Sequence, residues 1–183
     1  MDYKKPNAPK RELAIPQGVE KEIFLKAIDE LSGDLGKENV ELVDKSLVAY
    51  QFESNNLTSK TDPNTHDGMH VLDEEEFAAS AVVYPCNTEE FQTIVQWANK
   101  TKLFGYGGAA PRVRGSVVID LGRRINKVLD INPDDCTCLL EPGVTFYALY
   151  EEIQARGYQH LWVDVPELRG GSVLGNTLDR DVG

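Results

Sequence analysis

The sequence predicts a mixed fold of the α/β (α+β) type, and three stretches carry that expectation. Ala78 to Tyr84 is a run of small and β-branched residues closed by Pro85, with a helix signal directly after it. Asn132-Pro133-Asp134-Asp135 lies between two apolar runs, Lys127–Ile131 and Cys136–Leu140, as the connection of a hairpin does. Leu139-Leu140-Glu141-Pro142-Gly143-Val144-Thr145 reads as a strand that stops at a Pro-Gly turn and restarts as a helix at a Thr cap. A second turn of small residues follows at Gly170-Gly171-Ser172-Val173-Leu174-Gly175-Asn176. There the backbone can lie against a flat or phosphorylated ligand without side chains intervening.

In chain order, residues 1–18 are charged and proline-rich and read as an arm without a core of its own. From Val19 to Leu35 the residues Ile23, Phe24, Ala27, Ile28 and Leu31 recur at helical spacing, with Gly33 and Gly36 ending the run. Val40 to Phe52 alternates loosely and suits a short strand, whereas Ser54 to Gly68 is turn formers and reads as an exposed loop. These features make residues 1–75 an arm and helix-containing extension, and residues 76–183 a domain.

Asn87 and Glu90 have capping-box spacing, and Phe91, Ile94, Val95 and Ala98 share a helical face. A strand followed by a capped helix is half of a βαβ unit, so a parallel strand is expected next. Instead Asn99–Phe104 runs straight into Gly105-Tyr106-Gly107-Gly108, leaving hardly enough residues for a turn. The small parallel sheet near Ala78 is therefore expected to lack a strand and to expose an edge, with lower stability. Downstream, Ser116–Leu121 and the hairpin strands suggest a mixed sheet. Thr145 caps a helix with Phe146, Leu149 and Ile153 inward, and Gly157 ends it. Trp97 and Trp162 are read as core residues. The sequence stops at Asp181-Val182-Gly183 without a closing element, which suggests a truncated domain.

Composition narrows the function. The 183 residues are 41% hydrophobic and 8% aromatic, ordinary for a chain that buries a core. A net charge of -11 argues against nucleic acid or an anionic membrane as partner, since both need a basic face. Arg112, Arg114, Arg123 and Arg124 form a local basic cluster, read as solvated surface or a local anion site. Cys86, Cys136 and Cys138 lack CxxC spacing, and the last two share one face of one strand, a poor disulfide geometry. Reduced, buried thiols are expected. No apolar run is long enough to span a membrane and the N-terminus has no apolar signal core, so a soluble cytoplasmic protein is expected. His66 and His70 have helical i, i+4 spacing, but their turn-forming neighbours make them loop histidines rather than metal ligands. No metal site is expected.

Taken in series, four motifs closely resemble the vanillyl-alcohol oxidase / 4-cresol dehydrogenase family. They are Gly105-Tyr106-Gly107-Gly108-Ala109-Ala110-Pro111-Arg112-Val113, Glu141-Pro142-Gly143-Val144-Thr145, Trp162-Val163-Asp164-Val165-Pro166 and Gly170 to Asn176. The resemblance implies the N-terminal part of a PCMH-type FAD-binding domain, incomplete, with an N-terminal helical extension. It implies oxidation of para-substituted phenols by hydride transfer to flavin N5, with the protein supplying orientation and electrostatics. By motif position, Gly107, Gly108, Pro142, Gly143, Gly170, Gly171, Ser172, Gly175 and Asn176 would line FAD. Tyr106 matches a tyrosine that hydrogen-bonds the substrate phenolate. Glu167 matches an acid near N5 that is usually Asp, and is one methylene longer here. Each has a plainer alternative, Tyr106 as a packed aromatic and Glu167 as a turn carboxylate.

Two departures bear on these expectations. The family's strand and SxGRN-type phosphate loop before the GYGG motif are missing here, which implies a weakened hold on the FAD diphosphate. Met69 stands where the family places a linkage-assisting histidine, an argument against covalent flavin. Implied partners are a phenolic small molecule, oxygen or a cytochrome as electron acceptor, and a second copy in a homo-oligomer. The alternatives are a non-catalytic remnant that binds no FAD, and a flavoenzyme of the same fold acting on sugars or hydroxy acids. Tyr106 favours phenols over the latter.

Overall fold

The computed structural model describes residues 13–43, 79–103, 105–107, 114–163 and 171–179. The loop expected over Ser54–Gly68, with His66, Met69 and His70 in or beside it, lies outside the described residues, as do Gly108, Glu167 and Gly170. The chain divides into two compact units, Met1–Asp120 and Leu121–Gly183.

The first unit begins with helix α1, Lys21–Leu35, which buries Phe24, Ala27, Ile28, Leu31 and Leu35. Ile23, expected on that face, is turned outward and 60% exposed. Gly33 lies inside the helix, and Gly36 ends it at φ +89°, a conformation open to glycine without a Cβ penalty. The Asn39 side chain then donates 2.7 Å to the Leu35 carbonyl, which satisfies a terminal acceptor in a buried position. A short 3₁₀ turn, Lys37–Asn39, leads into strand β1, Val40–Leu42.

Strand β2, Ala79–Val83, is buried at every residue, as its unbroken run of small and β-branched side chains dictates. Ser80 is tolerated there because its hydroxyl donates to the carbonyl of Gly115 at 2.8 Å. Helix α2 follows at Thr88–Thr101. Asn87 Oδ1 accepts from the Glu90 N–H at 2.7 Å. The return bond of the cap runs one residue further back, from the Cys86 N–H to Glu90 Oε2 at 2.8 Å. The buried face of α2 is Ile94 and Trp97, with Phe91 and Ala98 half-buried. Val95 is exposed, contrary to expectation. The indole of Trp97 sets this rotation: its Nε1 donates 2.9 Å to the buried carbonyl of Ala27 in α1.

The parallel strand thought to be missing is present. Gly105–Gly107 forms strand β3, Ser116–Ile119 forms β4, and the sheet runs β1-β2-β4-β3. β2 and β3 both pair parallel with β4, while β1 pairs antiparallel with β2. The glycine segment itself is thus the strand that follows the α2 crossover. Glycine has little intrinsic strand preference. Here the apolar partner decides, with Gly105, Tyr106 and Gly107 registered against Val117, Val118 and Ile119.

The mixed sheet therefore belongs to the first unit, and the second holds a two-stranded antiparallel hairpin instead. Its strands are β5, Val128–Asn132, and β6, Thr137–Leu140. Asn132 Oδ1 accepts from the N–H groups of Asp134 and Asp135 at 3.0 and 3.2 Å, closing the expected turn. Helix α3, Phe146–Ala155, packs Leu149 and Ile153 against Ile131 and Val144. Phe146 is only half-buried. Arg156 Nη2 ties the end of α3 to the Val128 carbonyl at 3.2 Å.

Two core expectations fail in this unit. Leu161 and Val163 pack on the α3 cluster, but Trp162 between them is 95% exposed. Alternation along an extended segment forces that outcome once its neighbours turn inward. The cysteines are free but not buried: Cys136 and Cys138 are exposed and Cys86 is half-buried. Cys136 leaves the strand altogether, at φ +53° in the hairpin turn. Desolvation nevertheless raises the Cys138 thiol above its ordinary value. No helix among the described residues is long and apolar enough to cross a membrane, and no described group of His, Cys, Asp and Glu could hold a metal ion.

Candidate cofactor-binding site

In the second unit the Pro-Gly turn and the glycine-rich turn are built against each other. Thr145 and Ser172 form an antiparallel bridge. The Phe146 N–H donates to the Gly171 carbonyl at 3.0 Å, and the Val173 N–H donates to the Val144 carbonyl at 3.0 Å. These bonds bring Pro142, Gly143, Gly171, Ser172, Gly175 and Asn176 into one cradle.

Each of its pieces has a local cause. Gly143 donates its N–H to the Ile125 carbonyl at 2.8 Å. A Cβ at Gly143 would strike the carbonyls of Ile125 and Leu121, so no larger residue fits. Thr145 caps α3, its hydroxyl accepting from the Ala148 N–H at 3.1 Å. Ser172 does two things at once. Its hydroxyl donates 2.9 Å to the Pro142 carbonyl and accepts from the Gly175 N–H at 3.1 Å, which caps the short helix α4, Val173–Asp179. A Cβ at Gly175 would lie 3.3 Å from Ser172 Cβ, so this contact is also tight. At the base, the Glu141 N–H donates to the Lys127 carbonyl and Glu141 Oε2 accepts from the Lys127 N–H at 2.7 Å.

Motif reading assigned Gly143 and Ser172 to a ligand. The geometry gives both of them partners in the protein: the N–H of Gly143 donates to the Ile125 carbonyl, and the hydroxyl of Ser172 bonds Pro142 and Gly175. Thr145, read only as a helix cap, and Phe146 and Val173, not counted among the ligand-lining residues, supply the bonds of the bridge. Gly170–Asn176 was read as a turn throughout, whereas Val173–Asp179 is a short helix capped by Ser172, and the Phe146–Gly171 bond joins segments far apart in sequence.

In the first unit, Tyr106 and Gly107 lie in β3, opposite Val118 and Ile119. Gly108, Glu167 and Gly170 lie outside the described residues.

Pro142–Phe146 and Gly171–Leu178 contain no charged side chain, and Gly175 is exposed. A mixed sheet with a helical crossover, followed by a hairpin and such a cradle, is a module of the α+β class. The chain belongs to the FAD binding domain family, whose model matches residues 79–183.

Relatives place it further. The chain is 34% identical over 180 residues to the 4-cresol dehydrogenase [hydroxylating] flavoprotein subunit of Pseudomonas putida, covering 92% of this chain and 31% of that protein. The 4-ethylphenol oxidase of Gulosibacter chungangensis superposes with a TM-score of 0.69 at 35% identity, over 89% of this chain and 30% of that one. The p-cresol methylhydroxylase structure gives a TM-score of 0.70 at 28% identity, over 93% and 32%. The fold is that of the PCMH-type FAD-binding domain, as the motifs implied, and the chain spans about a third of the length of these relatives.

Proposed function

We propose that this chain is the FAD-holding module of an FAD-dependent oxidoreductase that acts on para-substituted phenols. The observation that supports it most is the cradle of the second unit. Its uncharged, small-residue turns are tied together by the Ser172 hydroxyl on one side and packed into place at Gly143 on the other. Gly171, Gly175 and Asn176 would hold the cofactor there, with Pro142, Gly143 and Ser172 setting the shape. Flavin, when bound, supplies the hydride acceptor. Tyr106 would hydrogen-bond the phenolate oxygen and Glu167 would place a carboxylate near the reacting carbon. The substrate class follows the names of two relatives, one a 4-cresol dehydrogenase and the other a 4-ethylphenol oxidase.

A second reading, a folded module that no longer holds FAD, is favoured by one observation. Gly105–Gly107 is committed to the β4 ladder in the first unit. A single measurement separates the readings. The purified chain is incubated with excess FAD, freed of unbound cofactor, and its visible absorbance and flavin fluorescence are recorded. Retained, quenched flavin supports the first reading and calls for an assay with 4-alkylphenols. A colourless protein overturns it in favour of the second.

A further inference from the structure

Strands β5 and β6 end at a rung that the main chain does not close by itself. Val128 pairs with Leu140, so Lys127 and Glu141 stand opposite each other one step beyond the ladder. The Glu141 N–H donates to the Lys127 carbonyl at 3.0 Å, which is half of an antiparallel rung. The other half calls for the Glu141 carbonyl, but that group accepts from the Val144 N–H at 3.1 Å across the Pro142-Gly143 turn. Glu141 Oε2 takes its place and accepts from the Lys127 N–H at 2.7 Å, within the short range of charge-assisted bonds. One residue thus closes the hairpin and opens the turn.

The segment under that turn leads into β5. Its Ile125 N–H bonds the Leu121 carbonyl at 3.0 Å and the Asn126 side chain bonds the Gly122 carbonyl at 2.8 Å, so it is folded on itself. Gly143 is buried on it, donating to the Ile125 carbonyl with no room for a Cβ against Leu121 or Gly122. Ile125 lies two residues before Lys127, so the Glu141–Lys127 rung sets how closely this floor meets the turn. We propose that Glu141 is a positioning residue of the cradle, its carboxylate holding Leu121–Lys127 under the Pro142-Gly143 turn so that the cofactor meets the turn in one place. It acts through Gly143 rather than on the cofactor. The flavin reading supplies the ligand here, whereas the placement of the turn stands without it.

Amide hydrogen exchange of the full chain, read residue by residue by NMR, tests that placement with no cofactor present. Glu141→Ala is expected to speed exchange at Lys127, Gly143 and Val144 about tenfold, the scale of one lost charge-assisted bond. Leu149 and Ile153, buried on α3, are expected to keep their protection, which a general loss of stability would not allow. Glu141→Gln retains an acceptor oxygen and is expected to restore wild-type exchange. Should the alanine variant misfold, Glu141→Met fills the same space without an acceptor. With FAD added, the dissociation constant is expected to rise about tenfold in the alanine variant and to stay within about twofold in the glutamine variant. Unchanged protection of Gly143 and Val144 in a folded alanine or methionine variant overturns the proposal. So does a glutamine variant that exchanges as fast as alanine, or fast exchange with undiminished FAD affinity. A wild-type chain that takes up no flavin sinks the flavin reading alone, and the exchange comparison then decides the role of Glu141.

Discussion

The two units solve the same problem unequally. The first closes its core: β2 is buried at every residue, Trp97 satisfies its indole N–H inside, and among the described residues only Ile23 and Val95 are large exposed apolar side chains. The second leaves Leu129, Leu139, Tyr147, Tyr150, Trp162, Leu174 and Leu178 outside. The same contrast divides their glycines. Gly105 and Gly107 are drawn into a ladder as ordinary strand residues, whereas Gly143 holds a turn packed so closely on backbone carbonyls that no side chain fits. A glycine motif thus takes its role from the backbone packed against it. It becomes a strand beside an apolar partner, and a cradle where two turns meet.

The comparison is broken most strongly at Gly143. Gly143→Ala forces a methyl into fixed backbone carbonyls and should destabilise the second unit by about 3 kcal/mol. Urea unfolding should then show the second unit melting first, with Trp97 fluorescence still reporting a folded first unit. A single unchanged transition would mean that the loop yields. Next comes Trp97→Phe, which removes the bond to Ala27 and should cost the first unit about 2 kcal/mol, read from the same transitions.

These two sites also mark what sequence could reach. The strand at Ala79, the Asn87 and Thr145 caps and the Asn132 turn were legible because each is fixed by neighbours within a few residues. The strand at Gly105 was not, because its pairing with Val117 is non-local and overrides the weak strand preference of glycine. Nor was the outward turn of Trp162, since an apolar run does not say which of its alternate residues faces the core. At the site, motif order pointed to the two turns that the Thr145–Ser172 bridge joins. The division of labour within it depended on the hydroxyl of Ser172 and the N–H of Gly143, whose partners lie in other segments.

Ser172→Ala sharpens that division. It removes both bonds of the hydroxyl and should cost the second unit about 1.5 kcal/mol, while Ser172→Thr restores most of it. If the flavin reading holds, retained FAD falls with the alanine variant and returns with threonine. Asn87→Ala should cost the first unit about 1 kcal/mol through loss of the α2 cap. The smallest effect belongs to Trp162→Ala, within about 0.5 kcal/mol, accompanied by loss of the solvent-exposed component of tryptophan emission. A larger loss there would show that the second unit is more closed than its exposed side chains imply.

The bond from Trp97 to Ala27 spans 70 residues of chain. Its cost is kinetic as well as conformational, because a contact of such sequence separation must close a long loop before it stabilises anything. During synthesis at roughly 5 to 20 residues per second, α1 leaves the ribosome some 4 to 14 seconds before its partner helix exists. Until then α1 lacks the partner helix whose Trp97 indole is bonded to it.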